Sequence, residues 1–293
     1  MNEFSISQLS YFSGIKPHTI RIWEQRYEAL RPKRSSGNTR YYDNSQLRRL
    51  LNIVSLIDAG YKVAEVCSMP DKNMFKLLAD LEDKESDKDA GYYVSQLIAA
   101  GIEYDERHFD KIFSHCMLRY GMKDAYVKVI YKLLNRIGLM WATDRLPPAQ
   151  EHFISNLLRQ KLFTAIDSLP PPRSQSGAWL LFLPENEFHE IGLLFACYLI
   201  RAAGRKVIYL GTNVPLPSVV IAAKEISPEN LLLFCVHAYP EAEILRYVNE
   251  LSRSFKGKNI FVSGNYFQDF PKNEKKIGWL QTVEDLEQKL LIP

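Results

Sequence analysis

Cysteine is scarce and scattered. Cys67, Cys116, Cys197 and Cys235 are the four in 293 residues. No two stand at metal-knuckle spacing, and they suggest no secreted disulfide framework. They read as reduced thiols of a cytosolic protein. Long apolar runs are missing as well. The longest, Ile191 to Ile200, is far short of the ~20 residues that cross a bilayer, so no membrane partner is expected. Residues Met1 to Ser10 are polar in character, so no signal peptide is expected. Neither charge sign dominates: 37 Lys and Arg against 34 Asp and Glu leave a net charge of +3. That is too little for a chain-wide field attracting nucleic acid. Internal repeats and low-complexity tracts are absent too.

What is there is unevenly placed. Met1 to Pro70 holds ten Lys and Arg and six Asp and Glu, so a surplus of four sits in the first quarter of the chain. Local positive charge is what phosphate binding requires. A turn-like break, Pro70-Asp71-Lys72-Asn73, closes this segment. From Met74 to Leu169, Pro and Gly are few and apolar residues recur at helical spacing, as in Ile130, Leu133, Leu134, Ile137 and Met140. A small bundle of the four-helix type is predicted. Pro170 to Gly177 has linker composition. Beyond it, strand patterns (Trp179–Leu183, Lys206–Leu210, Leu231–Val236, Asn259–Ser263, Trp279–Thr282) alternate with helical ones (Phe188–Ala203, Pro217–Glu225, Glu241–Ser254, Val283–Leu290). Such alternation predicts a parallel sheet covered by helices on both faces. The expected organisation is multidomain α and α/β, with segments 1–72, 73–170 and 177–293.

The first segment has the layout of a DNA reader. A short helix begins at Ser5, Gly14 turns the chain, and Pro17 starts a second helix where its missing N–H is harmless. That helix sets Ile20, Trp23 and Tyr27 on one face and turns His18, Thr19 and Arg21 elsewhere. After Pro32, the run Lys33 to Tyr42 reads as a Gly-containing hairpin with cationic and hydroxyl groups suited to phosphates. The segment resembles the winged helix-turn-helix of MerR-family regulators, over nearly all of residues 4–68. The resemblance carries the R-x-W-E run, the P-x-R step, G-x-x-R-Y-Y and a further helix bearing Leu47, Leu50, Leu51 and Ile53. It implies that His18, Thr19 and Arg21 face the groove of double-stranded operator DNA, and that Arg40 and Tyr41 contact its backbone. The long dimerisation helix and cysteine loop of metal-sensing members are not visible.

Two motifs lie further on. Glu187, His189 and Gly192 stand as E-x-H-x-x-G just past the strand pattern Trp179–Leu183, where open α/β sheets bind ligands. A carboxylate hydrogen-bonded to one imidazole nitrogen fixes the tautomer and basicity of the other, which suits a metal ligand. Upstream, Trp141 is followed nine residues later by Glu151 and His152. Each fragment alone has a plain reading: a loop histidine ahead of a helix, a bundle-core tryptophan, and a polar pair at a helix start. Together they resemble the cobalamin-binding module of the CarH/LitR photoreceptor family. That resemblance implies a flavodoxin-like (Rossmann-like) sheet and His189 as axial ligand to cobalt. It implies that Gly192, Ser263 and Gly264 make room for the nucleotide tail. Trp141, Glu151 and His152 would lie against the adenosyl side of adenosylcobalamin. Three departures stand out. Asn265 replaces the family's second glycine, Val236 to Tyr239 replaces a Ser-rich loop, and Ala142 takes the place of a histidine that captures cobalt after photolysis.

The resemblance implies a DNA-binding regulator, most simply a repressor. Its oligomeric state (dimer or tetramer) and operator binding would be set by adenosylcobalamin, with light releasing the adenosyl group in the family. An antirepressor protein is a further partner it suggests, in a cytoplasmic, nucleoid-associated setting. The alternative is a MerR-type regulator with a degenerate cobalamin site, acting through protein partners independently of light. An enzyme is disfavoured, since no segment is left for a barrel of about 250 residues.

Overall fold

The computed structural model describes residues 4–34, 38–74, 77–78, 90–142, 147–172, 177–236, 241–264 and 277–291. It divides into two compact units, Met1–Leu157 and Leu158–Pro293.

In the first unit, α1 (Ile6–Ser13) opens with a capping box. Ser5 accepts the Gln8 backbone N–H, and the Gln8 side chain accepts that of Ser5. Such reciprocal caps satisfy donors that a helix start leaves open. Gly14 closes α1 at φ 76°, a conformation that glycine adopts without a Cβ penalty. Helix α2 (Pro17–Tyr27) has Pro in its first turn and ends at Glu28. Strands β1 (Lys33–Arg34) and β2 (Arg40–Tyr41) form the antiparallel hairpin, with Lys33 opposite Tyr41. Asp43 caps α3 (Asn44–Asp58) by accepting from Gln46 N, and α4 (Val63–Ser68) follows. Leu9, Phe12, Ile20, Leu47, Leu50 and Leu51 are fully buried beneath these elements.

Helix α5 (Ala90–Ile102) is buried on nearly every side, as a helix apolar all round must be. Helix α6 (Glu106–Ala125), capped by Asp105, is interrupted at Gly121 (φ 70°, ψ 170°). A π-helical stretch, Tyr126–Ile130, leads into α7 (Tyr131–Ala142). Helix α8 (Pro148–Asp167) completes the four helices of the bundle expected from periodicity. Its N-terminal half lies close to α5, because a Cβ on Gly101 would stand 2.3 Å from the Ile154 side chain. Helix α3 meets α5 along a polar seam: the Gln96 amide donates to Ser55 Oγ at 2.7 Å and to Asn52 Oδ1 at 3.3 Å. All three residues are buried, so each depends on the others for hydrogen bonding.

The second unit is built on a five-stranded parallel sheet of β3 (Trp179–Pro184), β4 (Val207–Val214), β5 (Asn230–Phe234), β6 (Asn259–Ser263) and β7 (Ile277–Leu280). Its spatial order is β4-β3-β5-β6-β7, the flavodoxin-like order of the doubly wound fold. All six residues of β3 are buried, as expected of a central parallel strand. One face packs on α10 (Leu216–Ile226) and α11 (Glu241–Ser254) through Leu180, Phe182, Leu231, Leu233, Ile260 and Val262, with Val219, Leu251 and Phe255 opposite. The other carries α9 (Ile191–Ala202), with α12 (Val283–Leu290) beside it.

Many strand and helix ends differ from the sequence pattern, most of them by one or two residues, and three of the differences have a visible cause. Strand β4 runs four residues beyond Leu210, through Gly211 at φ 83°, where its register against β3 shifts. Strand β7 ends before Thr282, because that hydroxyl is the N-cap of α12 in a capping box with Asp285. Helix α9 starts at Ile191 rather than Phe188, because the Glu187 carboxylate holds the Phe188 and His189 N–H groups in a loop.

Candidate functional site

In a sheet of this order, the loops after β3 and β5 diverge at the topological switch point. Glu187 joins them. Its side chain is fully buried. Oε1 accepts from Phe188 N (2.9 Å), His189 N (3.0 Å) and His189 Nδ1 (2.6 Å). Oε2 accepts from Val236 N, just past β5, at 2.8 Å. The loop is anchored on its other side too. Asn213 N donates to the Glu187 carbonyl at 3.1 Å, and Asn186 N donates to Asn213 Oδ1 at 2.9 Å. Both asparagines adopt positive φ, 65° and 55°.

A carboxylate only accepts, so this contact places the imidazole proton on Nδ1 and makes Nε2 the electron-pair donor. The His189 side chain is 56% exposed, which keeps that nitrogen within reach of a ligand. One imidazole held in this way suits a metal that arrives with its other coordination positions already filled, as cobalt does in a corrin. The donor set therefore fits cobalamin.

Gly192 lies in the first turn of α9. A Cβ there would stand 2.9 Å from Phe234 Cε1 and 3.1 Å from Cδ1. Phe234 pairs in register with Ser263, and Gly264 follows at φ 148°. Glu187, His189, Gly192, Ser263 and Gly264 thus gather at the carboxyl end of the sheet, with Phe234 among them. Asn265 and His237 to Tyr239 lie outside the described residues.

Several residues here were not singled out from sequence. Phe234 was read only as part of a strand. Glu190, beside His189, accepts the Tyr209 hydroxyl at 2.8 Å and lies 3.5 Å from Arg159 of α8. Burial and then the Glu190 hydrogen bond push the Tyr209 phenol above its ordinary range, so it stays a donor. Burial, with the Glu187 charge adding to it, lifts the Cys235 thiol to about 12.

The upstream motif belongs to the first unit. Trp141 and Ala142 lie in the last turn of α7, and their side chains are outside the described set. Glu151, in the first turn of α8, takes the Ser155 hydroxyl at 2.5 Å and lies 2.8 Å from His152 Nδ1. The His152 side chain is 69% exposed. Ser155, one turn on from Glu151, completes a short polar row that the spacing alone did not reveal.

On α2, Ile20 and Trp23 are buried, while His18 and Arg21 are exposed. Thr19 is half-buried at the flank of that exposed face. Helical spacing puts Ile22 and Gln25 with His18 and Arg21, and Ile22 is 48% exposed. In the hairpin, Arg40 and Tyr41 are half-buried, and Arg40 Nε stands 3.5 Å from Glu24 Oε2. Tyr42 is buried and donates to Glu24, a tie from hairpin to helix that the sequence did not announce. Among the described residues, no helix is long and apolar enough to cross a membrane.

Residues 4–69 match the family described as MerR HTH family regulatory protein, and residues 93–165 match the B12 binding domain. The chain is 27% identical to the HTH-type transcriptional repressor CarH of Myxococcus xanthus over 266 residues, covering 89% of this chain and 88% of CarH. It is 26% identical to CarA of the same organism over 261 residues, covering 88% and 85%. The regulator MlrA of Escherichia coli matches over 63 residues at 32% identity, 22% of this chain and 26% of MlrA. The fold is that of the monomethylamine corrinoid protein of Methanosarcina barkeri, with a TM-score of 0.52 at 16% identity over 65% of this chain and 93% of that one. The chain thus joins a MerR-type helix-turn-helix domain to a B12-binding domain, and is similar to the repressors CarH and CarA along most of its length.

Proposed function

We propose that this protein is a transcriptional repressor whose operator binding is set by adenosylcobalamin held at His189. The observation that carries the reading is the Glu187–His189 pair at the switch point, in a chain whose residues 4–69 match the MerR helix-turn-helix family. We take segments 1–72, 73–170 and 177–293 as the DNA-binding, cap and cofactor-holding parts.

In this reading Glu187 holds the proton on Nδ1, and His189 Nε2 is the atom that would bind cobalt. Ser263 and Gly264 border the place for the nucleotide tail. Trp141, Glu151 and His152 are the proposed contacts for the adenosyl group. When bound, the cofactor supplies a cobalt–carbon bond that light cleaves. His18, Thr19 and Arg21 face the major groove, and Arg40 and Tyr41 hold the backbone. Cofactor and DNA binding are coupled if the cofactor prefers one homo-oligomer over another. More subunits on one operator mean more phosphate contacts and a steeper salt dependence.

The test is a visible spectrum of protein reconstituted with adenosylcobalamin in darkness and after green light, paired with operator retardation under both conditions. Retardation that requires the cofactor supports the reading. Retardation indifferent to it supports a second reading, a decayed cobalamin site and output through protein partners. The Phe234 ring packed on Gly192 is what favours that second reading.

A further inference from the structure

We propose that Phe234 acts as a filter on the corrinoid, closing the slot between Gly192 and Ser263 so that a corrinoid without a nucleotide tail enters more readily than cobalamin. This rests on the corrinoid reading above.

The argument starts from the cofactor's chemistry. In free cobalamin the benzimidazole of the nucleotide tail fills the cobalt position that His189 would take. His189 can ligate only after that base has moved aside, and the displaced base needs room. At the carboxyl end of the sheet, which carries His189, lie the start of α9 and the ends of β5 and β6. Leu233, Cys235, Ile260 and Val262 belong to the core beneath α10 and α11. Strand alternation therefore turns Phe234 and Ser263, which are register partners, to the opposite face, where α9 begins.

The lack of a side chain at Gly192 opens space there, and the chain fills it itself. Phe234 Cε1 and Cδ1 lie 2.9 and 3.1 Å from the point a Cβ on Gly192 would occupy. Protein interiors are close-packed, so a phenyl ring and a benzimidazole cannot share that space. Phe234 is half-buried and is the last residue of β5, so its ring has solvent on one side to turn toward. A tail-carrying corrinoid must turn it out and forfeit its packing. A tail-less one leaves it in place.

The experiment measures equilibrium binding by visible absorption in darkness. Adenosylcobalamin and its tail-less analogue adenosylcobinamide are each titrated into the full-length wild type and into Phe234→Ala. Displacing the base disfavours cobalamin at any histidine site, so the diagnostic is the change in the affinity ratio. Phe234→Ala is expected to tighten adenosylcobalamin about tenfold and to leave adenosylcobinamide within about twofold. Phe234→Leu, which keeps an apolar side chain at that strand end, is expected to move the ratio the same way by a smaller factor and covers the case of an alanine variant that does not fold. A ratio unchanged by both substitutions overturns the filter and leaves the corrinoid reading standing. Failure of wild type and variants to bind either corrinoid overturns both.

Discussion

The Tyr42 phenol donates to the Glu24 carboxylate, and the Arg40 guanidinium approaches the same group at 3.5 Å. Glu24 is on α2 and both partners come from the hairpin, so one buried carboxylate ties together the two elements proposed to face DNA. Burial and then the Glu24 hydrogen bond hold the phenol well above its ordinary pKa, so it remains a donor at any working pH. Tyr42→Phe keeps the ring but leaves the carboxylate short of a partner. The expected loss is about 1–3 kcal/mol of stability, read from the urea midpoint, together with weaker operator binding. A midpoint equal to wild type would show that the contact sets nothing.

How much of this was legible beforehand depended on the kind of signal. Repeating patterns gave elements: the apolar run of β3 and the starts signalled by Ser5 and Pro17 all fell where expected. Contacts between residues far apart in the chain left no trace. Nothing in the string Leu233-Phe234-Cys235 tells that its middle residue lies on Gly192, forty-two positions earlier. Boundaries were lost where a side chain overrode the period. Glu187 takes the N–H groups that would have begun α9 at Phe188. Two signals were readable and passed over. Asn186 stands two residues past β3 and Asn213 next to the last residue of β4, and asparagine tolerates the positive φ that both adopt.

The four N–H groups on Glu187 give a graded test of the His189 assignment. His189→Ala should abolish the histidine-ligated cofactor spectrum. Glu187→Gln leaves one acceptor oxygen where there were two, so either the loop amides and imidazole or Val236 N must face an amide NH2. Affinity for adenosylcobalamin should fall ~10–100-fold, the usual effect of removing a partner behind a metal-binding histidine. Titration followed at visible wavelengths decides. An unaltered spectrum in His189→Ala removes that residue as ligand.

The cysteines should be silent until the fold opens. Burial raises Cys67 and Cys197 to about 11 and Cys116 and Cys235 to about 12. The thiolate is the reactive form, so a disulfide reagent at pH 8 should label none of the four in the native protein and all four in denaturant. The sign for stability follows. Folded values lie above the ordinary thiol value of about 8.5, so the folded chain keeps protons that the unfolded chain releases. Their contribution is whole below that pH and is lost as pH climbs toward 11–12, which should appear as a falling melting temperature in that window. Rapid labelling of the native protein at pH 8 would contradict the burial of these side chains.

Arg21 offers the cleanest separation of the two halves of the proposed function. It is exposed on α2, on the face shared with His18, Ile22 and Gln25 and opposite the buried Ile20 and Trp23. Removing its side chain therefore takes nothing from the core, and the melting temperature of Arg21→Ala should match wild type. If the guanidinium holds a phosphate, operator affinity should fall similarly on all sequences, and the slope of log affinity against log salt should drop by about 1. If it pairs with a guanine edge, the loss should be about 1–3 kcal/mol on the operator alone, with the salt slope nearly unchanged. Either pattern, with cofactor uptake intact, assigns α2 to the DNA interface, and the second places it in the groove. Wild-type affinity on both operator and random DNA would take Arg21 off the interface.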